Sequence, residues 1–480
     1  MSDIAALARG VILTGLTGPP SPEQAGFAGY VIFARNGTSV GEVRALTDAI
    51  RERCEFAPLL GIDQEGGRVA RLEHGIEAMP SMMAIGATGS QELARRAGEQ
   101  TAFDLRRAGC TLDFAPVLDV AVDPGNTVIG TRSFGSDPQS VAALGASFAK
   151  GLAQGGISPC FKHFPGHGAT AVDSHEALPS VDVDESTLFA RDLVPFAAVA
   201  RDAIAIMSAH VLVRSLDPQR PATLSPRIAN ELLRSRLGFT GVLITDCLEM
   251  KAMTGYQTAA VDALNAGVDL LLFSHNIDLA HAAAAEIEAA VAANRLSQQR
   301  LQEAHERVQR LRVAANAPLP LDAFPPHPNV GRQIARRAIT LLRGVPEASP
   351  LSSFAVSFGG DVAVLHREAQ ALAGVSLSLD PTAAELENVR DALERNGRRP
   401  ILLARRADLH PAQADAIRTI VARYPDALVV SLLEPYDLPL FGKARHLLAA
   451  YGDDAAAIGG LADVLFGNSM PTGMLPVELN

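Results

Sequence analysis

The sequence is poor in cysteine, and its cysteines form no recognisable pattern. Without C-x-x-C spacing they give no basis for a disulfide framework or a zinc ribbon. Three of the four lie in or beside apolar runs, where we expect reduced, buried thiols. The cysteines are Cys54, Cys110, Cys160 and Cys247.

Positive charge and long apolar runs are also scarce. Lys and Arg number 42 against 53 Asp and Glu, a formal net charge of −11, which disfavours nucleic-acid binding. No uninterrupted apolar run is long enough to span a bilayer. The first residues carry Asp3 and no basic stretch before their apolar run, unlike a signal peptide. We therefore expect a soluble, cytoplasmic protein without nucleic-acid or membrane partners.

The chain is longer than one compact core usually is. Its 480 residues, 48% hydrophobic and 20% charged, predict a globular protein with two domains. In the first part, short β-branched runs alternate with helical patterns such as residues 40–54 and 91–108. Eight strands alternating with helices predict an α/β fold of the (β/α)8 TIM type. The strand candidates are residues 11–16, 29–33, 59–63, 112–117, 160–164, 205–210, 242–246 and 269–273.

The remainder of the sequence predicts a second domain. A helical stretch at residues 279–313 is interrupted beside Ser297, whose hydroxyl can cap a second helix. Residues 316–330 are proline-rich and are typical of a linker. We therefore expect a barrel at 1–315 and a smaller, doubly wound α/β domain at 331–480. Its predicted elements are strands at 361–366, 400–406 and 426–433 and a helix at 411–423.

Polar side chains collect at the same end of the predicted barrel strands. In such barrels the chemistry lies where the strands end and the βα loops begin. This placement predicts a site at the carboxyl rim of the barrel. The polar residues at strand ends are Asp63, Lys162, His163, His210, Asp246, Ser274 and His275.

A glycine- and proline-rich segment, KHFPGHG at residues 162–168, is followed by Asp173-Ser174-His175. An Asp-x-His pair in a loop can hold a carboxylate against one imidazole nitrogen. That contact fixes the tautomer and raises the pKa of the ring, so it can act as a general acid near neutral pH. Solvated loop histidines or helix caps are the alternative, which we favour for His167 but not for His175.

A zinc site is a competing interpretation of the same segment. His163, His167, His175 and Asp173 provide enough ligands. His163 and His167 are four residues apart without a helix to align them, and no further carboxylate pattern accompanies them. We therefore expect no metal.

Three further segments carry candidate site residues. Asp246 ends the apolar run GVLITD and is either a carboxylate nucleophile or the cap of the next helix. Asp63, in GIDQEGGRVAR, can accept hydroxyl hydrogen bonds, and Arg68 or Arg71 is alternatively a structural ion-pair partner. Arg132, in NTVIGTRSF, can donate two bonds to vicinal hydroxyls.

Together these motifs resemble glycoside hydrolase family three, in its NagZ-type β-N-acetylglucosaminidase branch. The similarity rests first on KHFPGHG with DSH. It is supported along nearly the whole chain by GYVIFARN, IDQEGGRV, DFAPVLDV, VIGTRSFGSDP, MSAHV, PATLS, GVLITDCLEM, AGVDLLL and the terminal ADVLFGNSMPTGMLPV. Cys247, beside Asp246, is a departure from relatives that carry Asp or Ala there, and it suggests sensitivity to thiol reagents.

The resemblance implies a retaining exo-β-N-acetylglucosaminidase without a cofactor. Asp246 would be the nucleophile and His175 the acid/base, paired with Asp173. The residues implied to bind the terminal sugar are Asp63, Arg71, Arg132, Lys162 and His163. The implied substrate is a small glycoconjugate from cell-wall recycling, a muropeptide fragment, with chitin oligosaccharides also possible.

Three alternatives stay open at this point. A neutral histidine in place of a second carboxylate would also admit phosphate as the acceptor, which makes a β-N-acetylglucosaminide phosphorylase the nearest one. A non-catalytic sugar-binding protein would be expected to lack Asp246 or His175, and neither is lost. Metal-dependent hydrolysis is the third.

Overall fold

The computed structural model describes residues 4–21, 24–170, 178–320, 325–467 and 469–479. Asp173 and His175 lie outside these ranges. Within them, no helix is both long and apolar enough to cross a membrane.

The first part of the chain forms a parallel barrel, as predicted. Its sheet has nine strand segments, of which Ser158–Pro159 and Phe161–Phe164 are consecutive pieces of one strand. The first piece pairs with Leu112–Asp113 and the second with Ala205–Ser208, which closes the ring. The other strands are Ile12–Gly15, Gly29–Ile32, Leu59–Ile62, Val242–Cys247 and Leu270–Phe273. All eight predicted strands are thus confirmed.

Helices cover the outside of this barrel. The predicted helices at 40–54 and 91–108 occur as Val40–Arg53 and Gln91–Arg107. Ser297 caps the second of two helices by accepting from the backbone N–H of Arg300, which confirms the predicted interruption. The remaining α-helices on this side are Ile4–Arg9, Met82–Thr88, Pro138–Gln154, Glu185–Ala190, Val194–Val199, Ala259–Ala266, Ile277–Ala292 and Gln298–Ala315, with a π-helical segment at Arg227–Arg236.

The second domain contains a six-stranded sheet. Only its first strand, Thr340–Arg343, runs antiparallel to its neighbour among the described strands. The other strands are Ser353–Phe358, Ala373–Leu377, Arg399–Ala404, Leu428–Ser431 and His446–Ala449. The α-helices are Val330–Ala338, Ala363–Glu368, Ala383–Asn396, Pro411–Arg423 and Ala455–Phe466.

One predicted strand of this domain is wrong. Residues 361–366 begin a helix, Ala363–Glu368, instead of a strand. The carboxylate of Asp361 accepts from the backbone N–H of Ala363, and Val362 and Leu365 are buried at helical spacing. The strand that precedes this helix is Ser353–Phe358, which lies between Ala373–Leu377 and Arg399–Ala404 and is buried throughout.

The end of the chain returns to the barrel. The backbone N–H of Ser136 donates to Pro476 O, and that of Met474 donates to Ala87 O, both at 2.9 Å. The hydroxyl of Ser81 donates to Tyr451 O. These bonds fix the second domain beside the helix Met82–Thr88 and the loop that precedes Pro138–Gln154.

Candidate active site

The carboxyl ends of the barrel strands surround a cavity of about 380 Å³. This is the rim where the strand-end pattern predicts a site. Six of the eight predicted site residues line it: Asp63, Arg71, Arg132, Lys162, His163 and Asp246. The other two, Asp173 and His175, are the pair outside the described residues.

A buried network of alternating charges forms one wall of the cavity. The Lys162 ammonium lies 2.8 Å from Asp63 Oδ1 and 2.6 Å from Glu65 Oε1. Arg132 donates two bonds to Glu65, from Nε at 2.8 Å and from Nη2 at 2.7 Å. Each buried charge therefore has an opposite charge in contact, which offsets the cost of removing it from water.

The pKa values of this network follow from its geometry. Burial alone would raise the pKa of Glu65, but Arg132 and Lys162 outweigh it and hold that pKa far below its usual range. Burial would lower the pKa of Lys162, but the two carboxylates raise it to about 12. Glu65 and Lys162 are therefore both charged across the neutral pH range.

Asp63 is the most exposed member of the network. Its second oxygen accepts from Arg71 at 3.4 Å, and its side chain keeps 19% of its surface exposed. A carboxylate held by two cations yet open to the cavity is suited to accepting hydrogen bonds from sugar hydroxyls. Glu65 lies in the motif IDQEGGRV, but no role was predicted for it.

Asp246 ends the strand Val242–Cys247 and points a carboxylate into the cavity. Its Oδ1 accepts from the backbone N–H of Cys247 at 2.7 Å. Burial would raise its pKa, but the nearby imidazoles of His163 and His210 outweigh burial and lower it. The next helical turn begins only after Met250, so Asp246 does not cap it. The alternative of a helix cap is therefore wrong, and the carboxylate faces the cavity.

His163 is oriented by Asp119, a residue that the sequence analysis did not single out. His163 Nδ1 lies 2.6 Å from Asp119 Oδ2, and the backbone N–H groups of His163 and His167 also point at this carboxylate. The contact fixes the ring and leaves Nε2 toward Arg132, at 3.4 Å. The one available signal was an acidic residue within the apolar run APVLDVAV.

The prediction that His167 is a solvated loop residue is wrong. The side chain is buried and lines the cavity, and its Nδ1 lies 2.8 Å from Thr170 Oγ1. The loop folds tightly onto the barrel because residue 168 is glycine: a Cβ there would lie 1.8 Å from Val120 O. Burial lowers the pKa of His167.

The opposite wall carries the residues that end the last two strands. Ser274 and His275 line the cavity as predicted, and the His275 ring packs against Phe33 with centroids 5.5 Å apart. His210 is instead buried behind the wall, with Nε2 3.0 Å from Cys247 O. Burial raises the pKa of the Cys247 thiol to about 11, which argues against the suggested thiol sensitivity.

A zinc site was the competing interpretation of the segment with His163 and His167. Within the described ranges, no three His, Cys, Asp or Glu side chains are grouped so that they could hold a metal ion. The proposed zinc ligands Asp173 and His175 fall outside those ranges.

A parallel barrel with a cavity of charged side chains at its carboxyl rim is the arrangement of a barrel enzyme. The chain belongs to glycosyl hydrolase family 3, because residues 23–311 match the family model described as the glycosyl hydrolase family 3 N terminal domain. It is therefore a glycoside hydrolase.

Individual relatives support this assignment. The chain is 40% identical over 259 residues to a β-hexosaminidase of Xylella fastidiosa (strain 9a5c), covering 52% of this chain and 76% of that protein. A family 3 β-N-acetylglucosaminidase from Paenibacillus sp. str. FPU-7 superposes with a TM-score of 0.91 at 31% identity, over 100% of this chain and 99% of that one. NagZ from Neisseria gonorrhoeae, in complex with N-trifluoroacetyl-D-glucosamine, superposes with a TM-score of 0.53 at 30% identity, over 63% and 98%.

Proposed function

We propose that this glycoside hydrolase removes terminal β-linked N-acetylglucosamine from small glycoconjugates with retention of configuration. The observation that carries the proposal is the Asp246 carboxylate, which lies in the cavity with a lowered pKa opposite the network of Asp63, Lys162 and Arg132. An ionised carboxylate is the nucleophile that retaining glycosidases require. The choice of sugar rests on the relatives, whose names include β-hexosaminidase and β-N-acetylglucosaminidase.

In the proposed first step, Asp246 attacks the anomeric carbon and the bond to the leaving oxygen breaks. His175, supported by Asp173, gives its proton to that oxygen. The now neutral His175 then takes a proton from water, whose oxygen attacks the anomeric carbon and releases Asp246. The sugar leaves with its original configuration because two displacements have occurred.

Two features of the described residues support His175 as the acid. His167 is also in the cavity, but burial lowers its pKa, so the ring is neutral near pH 7 and is a poor proton donor. The segment with Asp173 and His175 starts from Thr170, whose hydroxyl contacts His167. Five residues of chain span at most about 18 Å, a length compatible with the proposed role of His175.

The five proposed sugar-binding residues divide by chemistry. Asp63 provides acceptors for hydroxyl groups, and Lys162, Arg71 and Arg132 provide donors. His163 presents its Nε2 side beside Arg132. We further propose that the substrates are muropeptide fragments from cell-wall recycling in the cytoplasm.

The substrate assignment is tested with paired aryl glycosides. The purified protein should hydrolyse an aryl β-N-acetylglucosaminide far faster than the matching β-glucoside, and a preference for the glucoside would contradict the assignment. The assay should be repeated with millimolar phosphate and the product identified. Free N-acetylglucosamine supports hydrolysis, whereas the sugar 1-phosphate would make the enzyme a phosphorylase.

The acid/base assignment is tested with His175→Gly. Aryl glycosides with good leaving groups need no proton, so the variant should retain far more activity on them than on natural disaccharide substrates. His167→Gly is the matched control from the same loop. Equal losses on both substrate types in His175→Gly, or the selective loss in His167→Gly instead, would contradict the assignment.

A further inference from the structure

A buried carboxylate of the second domain reaches the barrel close to the cavity. Glu434, just after the strand Leu428–Ser431, is only 2% exposed. Its Oε1 accepts from the backbone N–H of Thr131 at 2.7 Å, across 303 residues of sequence. Thr131 immediately precedes Arg132, so this contact is one residue away from a side chain that lines the cavity.

Thr131 lies in the segment of residues 123–133, the arginine loop. Arg68, 4.0 Å from Glu434 Oε1, donates from Nη2 to three consecutive carbonyls of this loop, those of Thr127, Val128 and Ile129. Arg406 of the second domain bonds Glu434 Oε2 at 3.3 Å and Pro124 O at 2.7 Å. Glu434 therefore lies at the centre of the contacts that hold the loop.

The Glu434 carboxylate fits against the arginine loop because residue 130 is glycine. Gly130 has a φ of +44°, and a Cβ added there would lie 1.9 Å from Glu434 Oε1. A side chain at residue 130 would therefore be strained and would displace the carboxylate.

The arginine loop in turn fixes groups of the cavity. Arg132 donates from Nη1 to Val128 O at 3.1 Å as well as to Glu65. Asn126 accepts from the backbone N–H groups of Val128 and Ile129, and its Nδ2 donates to His167 O at 2.8 Å. A shift of the loop would thus move both Arg132 and the backbone that carries His167.

We propose that Glu434 is a positioning residue through which the second domain holds Arg132 in its sugar-binding place. This inference rests on the proposed role of Arg132 in binding the sugar. It gives the second domain a part in substrate affinity, although the described residues that line the cavity all come from the barrel.

The test compares Glu434→Ala and Glu434→Gln with Ser81→Ala. Ser81→Ala removes another buried hydrogen bond between the domains, to Tyr451 O, and the cap that the same hydroxyl provides to the N–H of Ala84. Neither bond involves a residue of the arginine loop. The measurements are KM and kcat on an aryl β-N-acetylglucosaminide, the Kd for N-acetylglucosamine by calorimetry, and the melting temperature of each variant. All kinetics are taken well below the lowest melting temperature.

Glu434→Ala should raise KM and Kd about tenfold, the effect of losing one hydrogen bond to a charged group. Glu434→Gln keeps an acceptor for Thr131 but loses the charge that faces Arg68 and Arg406, so about threefold is expected. kcat should change less than KM in both. Ser81→Ala should stay within about twofold for either constant.

If the Glu434 variants melt earlier but keep wild-type KM and Kd, the carboxylate is only a contact between domains and the inference fails. Glu434→Gln keeps this test valid if the alanine variant does not fold, because it preserves shape and volume. A wild-type enzyme without affinity or activity for β-N-acetylglucosaminides would instead overturn the proposed function, and this inference with it. The wild-type control therefore separates the two failures.

Discussion

The two sheets of this enzyme both carry charged residues where a parallel strand ends, but the surroundings of those charges differ. At the barrel rim, Asp63 and Asp246 have partners behind them and open space in front. In the second domain, Arg405 follows the strand Arg399–Ala404 and is surrounded by protein. It donates to Ser357 Oγ, Phe358 O and Asp453.

The difference shows that a charge at a strand end is not by itself evidence for a site. In the barrel, the ring of strands keeps side chains on opposite walls apart. Each charge therefore pairs with a neighbour on its own wall and still faces the cavity. In the open sheet, one guanidinium bonds both the end of the neighbouring strand Ser353–Phe358 and Asp453. We therefore expect Arg405 to contribute to stability, and Asp63 and Asp246 to contribute to the reaction.

The largest expected effect is the loss of activity in Asp246→Asn. The amide is no nucleophile, so kcat should fall by at least about 10³-fold while the melting temperature stays near that of the wild type. Asp453→Asn, at the corresponding edge of the other sheet, is the control and should keep kcat within about twofold. Retained activity in Asp246→Asn would remove the functional contrast between the two edges.

The second prediction concerns the stability of the charge network. Lys162→Met leaves Asp63 and Glu65 without their shared cation, so the free energy of unfolding should fall by about 3–5 kcal/mol at pH 7.5. Lys251→Met, which removes an exposed lysine of the same cavity, should cost less than about 0.5 kcal/mol. Urea unfolding measures both.

The same variant has a predicted pH dependence. The lowered pKa of Glu65 means that it stabilises the native protein above the ordinary glutamate pKa, and that this contribution is lost as pH falls through the lowered value. In Lys162→Met the carboxylates regain protons more readily. The stability difference from wild type should therefore shrink as pH falls from 7.5 toward 4.5. A difference that grows over this interval would contradict the ion-pair explanation.

A smaller effect is expected at the edge of the second sheet. Arg405→Met leaves Phe358 O and Ser357 Oγ without this donor, which should cost about 2–3 kcal/mol of stability. Well below the melting temperature, kcat/KM should stay within about twofold of the wild type. A tenfold loss of kcat/KM in the folded variant would show that this edge contributes to the reaction.

The smallest expected effect is at Cys247. Because its pKa is raised to about 11, only about one thiol in a thousand is ionised at pH 8. Inactivation by iodoacetamide should be slow at pH 7 and about tenfold faster for each unit up to pH 9. Cys247→Ala should be resistant to any such inactivation. Rapid loss of wild-type activity at pH 7 that Cys247→Ala abolishes would contradict the raised pKa.

Much of the barrel could be predicted because its signals are local. Each strand is a short apolar run, and the chain direction places Asp63, Lys162 and Asp246 at one rim. The second domain was harder to predict from its sequence. Residues 361–366 have the apolar content of a strand. They form a helix instead, in which the Asp361 carboxylate accepts from the N–H of Ala363, and Val362 and Leu365 are buried at helical spacing.

The missing parts of the site depend on contacts between distant residues. The Asp119 contact with His163 spans 44 residues, and that of Glu434 with Thr131 spans 303. His167 has the sequence surroundings of a solvated loop, and only the close approach of Gly168 to Val120 buries it. Such pairings follow from the closed barrel and from the contact between the two domains, and they cannot be read from spacing along the chain.

The proposed reaction requires the Asp246 carboxylate to form a bond to the anomeric carbon. This bond is tested most directly by trapping the intermediate with an activated fluorinated N-acetylglucosaminide and locating the label by peptide mass spectrometry. We expect one sugar per chain, attached to the peptide that contains Asp246 and absent in Asp246→Asn. A label on a different carboxylate, or turnover that gives a product of inverted configuration, would contradict the proposed reaction.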